Sequence, residues 1–170
     1  MLNISPNWSC AALAFLLTAC ATTPTPSGVR AEWQARSGSQ VKGEVLISDL
    51  GNQRLRISVN ASGVPAGAHG FHIHEVGDCS APDASSAKGH YNPGASQHGH
   101  HAHATHHAGD LPNLTADAAG VVNYQAEISG VSLAEIAGRS LIMHADPDDY
   151  QSQPAGNSGK RIACAVIGQP

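Results

Sequence analysis

A chain of 170 residues is long enough to form one domain with a sizeable hydrophobic core. Charged residues make up only 13% of the sequence and the formal net charge is −4, so the chain carries no basic stripe with which to bind nucleic acid. Short β-branched runs interrupted by Gly, Pro, Asn and Asp favour an all-β fold over a helical one.

The N-terminus has the pattern of an export signal. The apolar run from Cys10 to Ala19 is too short to span a bilayer and is typical of the hydrophobic region of a signal peptide. The residues Leu17 to Cys20 resemble the cleavage site of bacterial lipoproteins. The lack of Lys and Arg in 1–9 departs from the usual signal, and a buried apolar helix is the alternative interpretation.

We therefore predict a signal peptide over 1–19, a lipidated Cys20 with an extended tether over 20–28, and one folded domain over 29–170. This places the domain in the bacterial periplasm, with a lipid anchor as its only contact with a membrane. Ala21, rather than Asp, after the lipidated cysteine favours the outer membrane.

Export also makes the cysteine count informative, because disulfides persist in oxidising compartments. Cys10 leaves with the signal peptide and Cys20 carries the lipid, so Cys79 and Cys164 remain as one candidate disulfide pair. Two free buried thiols are the alternative.

Eight segments have the residue pattern of β-strands and are bounded by turn residues. They are Val29–Arg36, Val41–Leu50, Gln53–Ala61, His69–Glu75, Asp110–Ala116, Val121–Ser129, Gly138–Ala145 and Arg161–Gly168. Leu55, Ile57 and Val59 alternate with polar residues, as in a strand with one buried face. Asp117–Gly120 is expected to close a short hairpin. We predict an eight-stranded antiparallel Greek-key β-sandwich or flattened barrel.

Two long segments, 79–109 and 145–160, lack periodicity and are rich in Gly, Pro, Asp and His. Long loops in compact domains are usually functional or disordered. The first begins at a cysteine and carries several histidines, which favours a functional loop. Within it, 98–107 is a low-complexity histidine tract.

A pair of histidines separated by one residue lies in the fourth predicted strand. His72 and His74 point to the same face, because side chains alternate along a strand with period two. Such a pair is more often an ordinary surface feature than a metal site. The chain, however, supplies further imidazoles and an acid, namely His90, His98, His107, Asp110 and His144. Imidazoles with one carboxylate suit copper and zinc.

Five segments carry a resemblance to a known family. They read GFHIHEVGDC, GHYNP, HAGDLPNL, GRSLIMHA and GNSGKRIACAVIG, in this order. At these spacings they resemble the Cu,Zn superoxide dismutase family over 29–168. The lipoprotein-like start and the sequence from Asp110 to Pro112 are similar to the bacterial periplasmic branch of that family.

The resemblance implies two cofactors, copper and zinc, and a ligand set for each. It makes His72, His74, His90 and His144 the copper ligands. It makes His90, His98, His107 and Asp110 the zinc ligands, so that His90 bridges both ions. The tract has four surplus histidines, at His100, His101, His103 and His106, any of which could take the place of a zinc ligand from the tract.

Two further residues match positions of the family that support the metals. Asp148 matches a carboxylate that hydrogen-bonds one ligand of each metal, and a solvated loop acid is its alternative interpretation. Arg161 matches an arginine beside the open copper face, where it would dock a small anion. A surface charge at the end of a strand is the alternative for Arg161.

The activity implied by the resemblance is disproportionation of superoxide to dioxygen and hydrogen peroxide, with superoxide anion as the substrate. Arg161 and His90 are the predicted catalytic residues, His90 as a proton carrier. A periplasmic copper and zinc carrier or buffer that uses the histidine tract is one alternative, and a β-sandwich adhesion or assembly domain that keeps the metal site only for stability is another. Oligomeric state is left open, with a homodimer as the candidate assembly.

Overall fold

The computed structural model describes Met1 and residues 28–169. The predicted signal peptide, the lipidated Cys20 and the tether up to residue 27 lie outside the described residues. Ten strands are present in the described part, with the following bounds: β1 Gly28–Glu32, β2 Gln34–Ala35, β3 Lys42–Gly51, β4 Arg54–Ser62, β5 Gly67–His69, β6 Phe71–His74, β7 Leu114–Ala116, β8 Val122–Ser129, β9 Ser140–His144 and β10 Arg161–Val166.

Helix is almost absent from the described residues. The short helix α1 spans Leu133–Ile136, and one 3-10 turn spans Ser85–Ala87. A capping box between Ser132 and Glu135 begins α1. Within the range that the structure describes, no helix has the length and apolar character needed to cross a bilayer.

The strands form two four-stranded antiparallel sheets and one small pair. The first sheet has the order β1-β3-β4-β8, the second has the order β2-β10-β9-β6, and β5 pairs with β7. The prediction of an antiparallel all-β sandwich is therefore confirmed. The two sheets keep separate hydrogen-bond ladders among the described strands, so the arrangement is a sandwich and not a closed barrel.

The eight predicted segments become ten strands because two of them change partners part of the way along. The first segment divides at Trp33, before which β1 pairs with β3 and after which β2 pairs with β10. The fourth divides at Gly70, where β5 on β7 gives way to β6 on β9. At Gly70 a Cβ atom would lie 2.5 Å from Ser158 Oγ. Both divisions fall inside segments with a continuous strand-like residue pattern, so sequence periodicity does not reveal the change of sheet.

The turn predicted at Asp117–Gly120 is present, but it does not close a hairpin ladder. The Gly120 amide donates to the Asp117 carbonyl at 3.0 Å, as in a tight turn. The strands on either side nevertheless pair elsewhere, β7 with β5 and β8 with β4. This turn therefore carries the chain from the small β5–β7 pair to the first sheet.

The hydrophobic core lies between the two sheets. The predicted alternation of β4 is confirmed, since Leu55, Ile57 and Val59 are buried between more exposed polar neighbours. From the opposite sheet, Phe71 and Leu141 are fully buried. Burial of each such large side chain stabilises the fold by about 1.5–3 kcal/mol. This core fixes the strands β6, β9 and β10 on which the candidate site is built.

The two long segments remain loops and are tied to the sheets. Cys79 and Cys164 form the predicted disulfide, with their Cα atoms 5.8 Å apart. The bond attaches the start of the first loop to β10. Arg36 adds a second attachment, because its Nε donates to the Cys79 carbonyl at 2.7 Å.

Replacement of both Cys79 and Cys164 by Ala is expected to lower the free energy of unfolding. The disulfide links residues 85 positions apart, and for a loop of this length the chain-entropy estimate of its stabilisation is about 4 to 5 kcal/mol. Denaturant unfolding of metal-free protein, followed by circular dichroism, measures the effect. Reduced wild-type protein is the matched control, since it keeps both sulfur atoms. Equal stability of the oxidised and reduced forms would contradict the prediction.

Candidate metal centre

Buried strands bring the first histidines together. All four residues of β6 are buried, and His72 and His74 lie on the same face of that strand. The neighbouring strand β9 ends at His144, which is also buried. Two isolated bridges join the long loop to β6, one between His72 and Asp110 and the other between His74 and His90. Main-chain pairing, rather than side-chain contact alone, therefore positions His90 and Asp110.

Four imidazoles form the first cluster, from His72, His74, His90 and His144. Each ring offers one ligand atom, and these atoms lie within 4.8 Å of one another. Within the described part of the chain, one buried nitrogen of each ring has no hydrogen-bond partner. These atoms are His72 Nδ1, His74 Nε2, His90 Nε2 and His144 Nε2. A buried unpaired polar atom costs about 1–3 kcal/mol, so four of them together indicate a site for a cation.

In three of these rings, the nitrogen that does have a hydrogen-bond partner determines the tautomer. That nitrogen faces an oxygen that can only accept a hydrogen bond, so it carries the ring proton. The lone pair therefore lies on the unpaired nitrogen of the same ring. The three bonds run from His72 Nε2 to Asp148 Oδ2 at 2.8 Å, from His74 Nδ1 to the Lys88 carbonyl at 2.9 Å, and from His144 Nδ1 to the Gly159 carbonyl at 3.3 Å.

Burial keeps these rings neutral. Loss of solvation lowers the pKa of His72 to about 4, and it lowers the pKa values of His74 and His144 well below the ordinary histidine value. Metal binding requires the unprotonated nitrogen. At neutral pH these three rings therefore present lone pairs without competition from protons.

The second cluster consists of three imidazoles and one carboxylate, from His90, His98, His107 and Asp110. Asp110 Oδ1 lies 2.9 Å from His90 Nδ1, 3.0 Å from His98 Nδ1 and 3.3 Å from His107 Nδ1. The Nδ1 atoms of His90 and His107 are 3.3 Å apart. A tetrahedron with metal–ligand bonds of about 2.0–2.1 Å has edges of about 3.3 Å. These separations therefore fit a tetrahedral zinc ion.

The charge balance of the second cluster also favours a cation. Burial raises the pKa of Asp110, but hydrogen bonds from His90 and His98 lower it more, so this carboxyl is ionised. Burial lowers the pKa of His98, yet the hydrogen bonds to Asp110 and Asp148 outweigh it and raise the value to about 9. The negative environment that attracts a proton to His98 would equally attract a divalent ion.

His90 belongs to both clusters. Its Nε2 is the unpaired atom facing the first cluster, and its Nδ1 is the atom facing Asp110 in the second. The His90 and His72 rings are stacked, with centroids 3.9 Å apart. One imidazole thus offers a ligand atom to each of two adjoining sites.

Asp148 links the two clusters, because its carboxylate accepts a hydrogen bond from one histidine of each. Its side chain is fully buried and accepts from His72 Nε2 at 2.8 Å and from His98 Nε2 at 2.9 Å. Asn113 holds it in place, since its Oδ1 accepts the Asp148 amide and its Nδ2 donates to the Asp148 carbonyl, both at 2.9 Å. Gly156 leaves the space for the carboxylate, because a Cβ there would lie 1.7 Å from Asp148 Oδ1.

The guanidinium of Arg161 is fixed beside the first cluster. Its Nη1 donates to the Ala84 carbonyl and its Nη2 to the Lys88 carbonyl, both at 2.7 Å. In the ladder, Arg161 on β10 pairs with His144 on β9. A cavity of about 290 Å³ opens here, and its wall includes His74, His90, His144 and Arg161. A small anion can therefore contact the guanidinium and the first cluster together.

Each predicted ligand within the described residues lies in the cluster expected for it, including His98 and His107 of the histidine tract. The four surplus histidines lie outside both clusters. Cys20, the predicted lipidation site, falls outside the described residues. Asn113 and Gly156, which hold and accommodate Asp148, were not predicted from the sequence. The carbonyls of Ala84 and Lys88 were not predicted either, because no side-chain pattern reveals them.

Comparisons with known proteins agree with this geometry. The family profile described as copper/zinc superoxide dismutase matches residues 41–167. A solved structure, titled as a crystal structure analysis of the clock protein EA4, aligns with a TM-score of 0.76 at 30% identity. That alignment covers 88% of this chain and 99% of the other.

Bacterial relatives extend the match. Cu-Zn superoxide dismutase 2 of Aquifex aeolicus is 46% identical over 125 residues, which cover 68% of this chain and 73% of the relative. Cu-Zn superoxide dismutase of Deinococcus radiodurans is 40% identical over an alignment 172 positions long, which covers 92% of this chain and 92% of the relative. The profile match and these identities show that the chain belongs to the copper/zinc superoxide dismutase family.

Proposed function

We propose that this protein removes superoxide at copper held by His72, His74, His90 and His144, beside zinc held by His90, His98, His107 and Asp110. Two superoxide anions and two protons give dioxygen and hydrogen peroxide. The observation that carries the assignment is the shared imidazole, because His90 presents one nitrogen to each of two adjoining buried ligand sets. Bound copper supplies a centre that accepts and returns one electron, and bound zinc supplies a fixed charge without redox chemistry.

The residues of the chain dock the substrate and handle the protons. Arg161 carries a permanent positive charge at the cavity, so its guanidinium binds and orients the small anion beside the first cluster. His90 Nε2 lies on the wall of the same cavity and is the atom at which the protein can hold a proton for the peroxide product. His90 Nδ1 stays with the second cluster, which keeps the ring in position during proton transfer.

Local charge determines whether an anion approaches a protein of net charge −4. Two bound divalent ions, offset by the Asp110 carboxylate and by a bridging His90 ring without its second proton, would leave about +2 at the site. Arg161 adds a further positive charge at the cavity. Acids on the surface that lie beyond a Debye length of about 8 Å are screened. The cavity therefore attracts superoxide in spite of the net charge.

The carrier alternative is less well supported. A buffer for copper and zinc does not need a cation held beside the metal ligands. Arg161, however, is fixed at both ends of its guanidinium by carbonyls of the long loop. The adhesion alternative is also weaker, because a structural metal needs only one closed ligand set and not a second set that opens on a cavity.

We further propose that the protein is exported to the periplasm and anchored to the outer membrane through a lipid on Cys20. The apolar run before Cys20 and the cleavage-site pattern support this placement. Mass spectrometry of the mature N-terminus in a bacterial host tests it, since an unmodified Cys20 would be incompatible with an anchor. The homodimer stays a prediction, and sedimentation of the mature chain measures the assembly.

Superoxide removal is expected to depend on both metals. Protein loaded with copper and zinc should consume superoxide in a competition assay, and the same protein stripped by a chelator should lose this activity because its residues hold no redox centre. Readdition of zinc alone is the matched control and should leave activity absent. Full activity of the stripped protein, or none after loading with both metals, would refute the proposed function.

Replacement of Asp148 by Asn is expected to weaken the binding of both metals. The carboxylate accepts from two ring N–H groups, and the NH2 group of asparagine would replace one of the two acceptor oxygens with a donor. Loss of such a supporting hydrogen bond costs about 10–100-fold in metal affinity. Chelator competition measures the change. Asp149→Asn is the control, because Asp149 is exposed and its carboxylate, among the described residues, bonds to Gln151, Ser152 and Asn157 and to no cluster member.

Replacement of Arg161 by Ala is expected to lower turnover at least about tenfold, because the positive charge that attracts the anion is lost. Metal content should stay unchanged, since the Arg161 guanidinium donates to the Ala84 and Lys88 carbonyls and the residue belongs to neither ligand set. Lys160→Ala removes an equal charge from an exposed neighbour and is the control. Rising ionic strength should slow the wild-type enzyme more than the Arg161 variant. Equal losses in both variants would mean that net charge alone is responsible.

A further inference from the structure

Four imidazoles of the histidine tract have no place in the two clusters. They belong to His100, His101, His103 and His106, on the loop that joins His98 to His107. This loop begins and ends at members of the second cluster. Its four extra rings differ in their surroundings, and the differences separate them into two pairs.

The first pair, His101 and His106, lines a cavity that reaches the second cluster. The cavity has a volume of about 210 Å³, and its wall also includes Asp110 and Glu127. Asp110 is a member of the second cluster. An ion held between His101 and His106 would therefore lie on a path that ends at a zinc ligand.

Both of these rings have a nitrogen available for a metal. In the described part of the chain, His101 Nδ1 is buried and lacks a hydrogen-bond partner. His106 Nδ1 donates to the His107 carbonyl at 2.7 Å, which places the ring proton on Nδ1 and leaves the lone pair on Nε2. Burial, together with the neighbouring imidazoles, lowers the pKa of His101, so that this ring is neutral.

The second pair, His100 and His103, is arranged differently. His100 Nδ1 accepts a hydrogen bond from the Ala102 amide at 3.2 Å, so the proton of the neutral ring lies on Nε2 and neither nitrogen has a free lone pair. His100 also packs on Tyr150, with ring centroids 4.5 Å apart. His103 is exposed and packs on His100. Neither ring forms part of the cavity wall.

We propose that His101 and His106 form a capture site for Zn²⁺, from which the ion passes to the cluster of His90, His98, His107 and Asp110. Water completes the coordination, because the Glu127 carboxylate is already paired with Arg56 at 2.7 Å. Two imidazoles bind more weakly than a closed set of four ligands. Because the four-ligand cluster binds zinc more tightly, transfer of the ion from the capture site to that cluster is favourable. The transfer exchanges ligands without any redox step, and it rests on the proposed assignment of the second cluster to zinc.

Titration of the loaded protein with Zn²⁺ alone tests the site. Protein that already holds copper and zinc should bind one additional zinc ion per chain, measured by calorimetry and metal analysis. The His101→Ala/His106→Ala variant should lose that ion. The His100→Ala/His103→Ala variant removes the same number of imidazoles from the same loop and should keep it. Absence of the additional ion in the wild type, or equal loss in both variants, would overturn the proposal.

Loading kinetics test the direction of transfer. Metal-free protein is mixed with Zn²⁺ held by a chromophoric chelator, and colour loss gives the rate of uptake. The His101→Ala/His106→Ala variant should load more slowly than the wild type and the other double variant, yet reach the same content of tightly held zinc. Unchanged rates in both variants would overturn the transfer step.

Failure of the capture site can be distinguished from failure of the proposed function. The proposed function fails if the two buried clusters do not hold copper and zinc, or if the loaded protein does not remove superoxide. The capture site is scored on the additional zinc ion and on the loading rate, whatever the superoxide activity. Because neither His101 nor His106 belongs to a cluster, both double variants should show wild-type activity once fully loaded.

Discussion

The structure depends on a group of buried imidazole nitrogens that need a cation. Four ring nitrogens of the first cluster have no partner among the described residues, and each costs about 1–3 kcal/mol while it stays unpaired. Neutral rings with fixed tautomers cannot turn away from one another, because His72, His74 and His144 are each held from behind by an oxygen acceptor. A bound ion removes this cost, so metal binding and folding stability are coupled.

The two ligand sets differ in the scaffold that carries them. Three of the four residues of the first cluster lie on β6 and β9, where the ladder and the core fix the backbone. The second cluster draws its residues from the long loop, which has no ladder of its own beyond two isolated bridges. An ion bound there would link separate parts of the loop to one another, whereas three of the four rings of the first cluster are already fixed on strands. His90 links the two, so order in the loop sets the geometry of the redox site.

The strands, the disulfide and both clusters could be predicted from the sequence, and the features that could not be predicted have physical causes. Period-two alternation locates an extended segment such as β4, but it does not say which sheet the segment joins, so the divisions at Trp33 and Gly70 were missed. The clusters were predictable because the resemblance supplied contacts between residues far apart in the chain. Main-chain acceptors such as the Lys88 carbonyl were not, since every residue has a carbonyl and only the fold directs one of them toward a ring.

That carbonyl shows how backbone conformation serves the site. Lys88 adopts φ 66° and ψ −147°, a region that residues other than glycine rarely occupy and that costs on the order of 1–3 kcal/mol. Its carbonyl accepts from both His74 Nδ1 and Arg161 Nη2. Ala84, whose carbonyl holds the other end of the guanidinium, also has a positive φ of 57°.

Because the Lys88 carbonyl oxygen holds both a ring of the first cluster and the Arg161 guanidinium, the distance between the guanidinium and the metal ligands is fixed before any anion arrives. The strained backbone thus preorganises the guanidinium. A mobile arginine would have to be ordered each time an anion binds, and the entropy cost of that ordering would offset part of the electrostatic attraction.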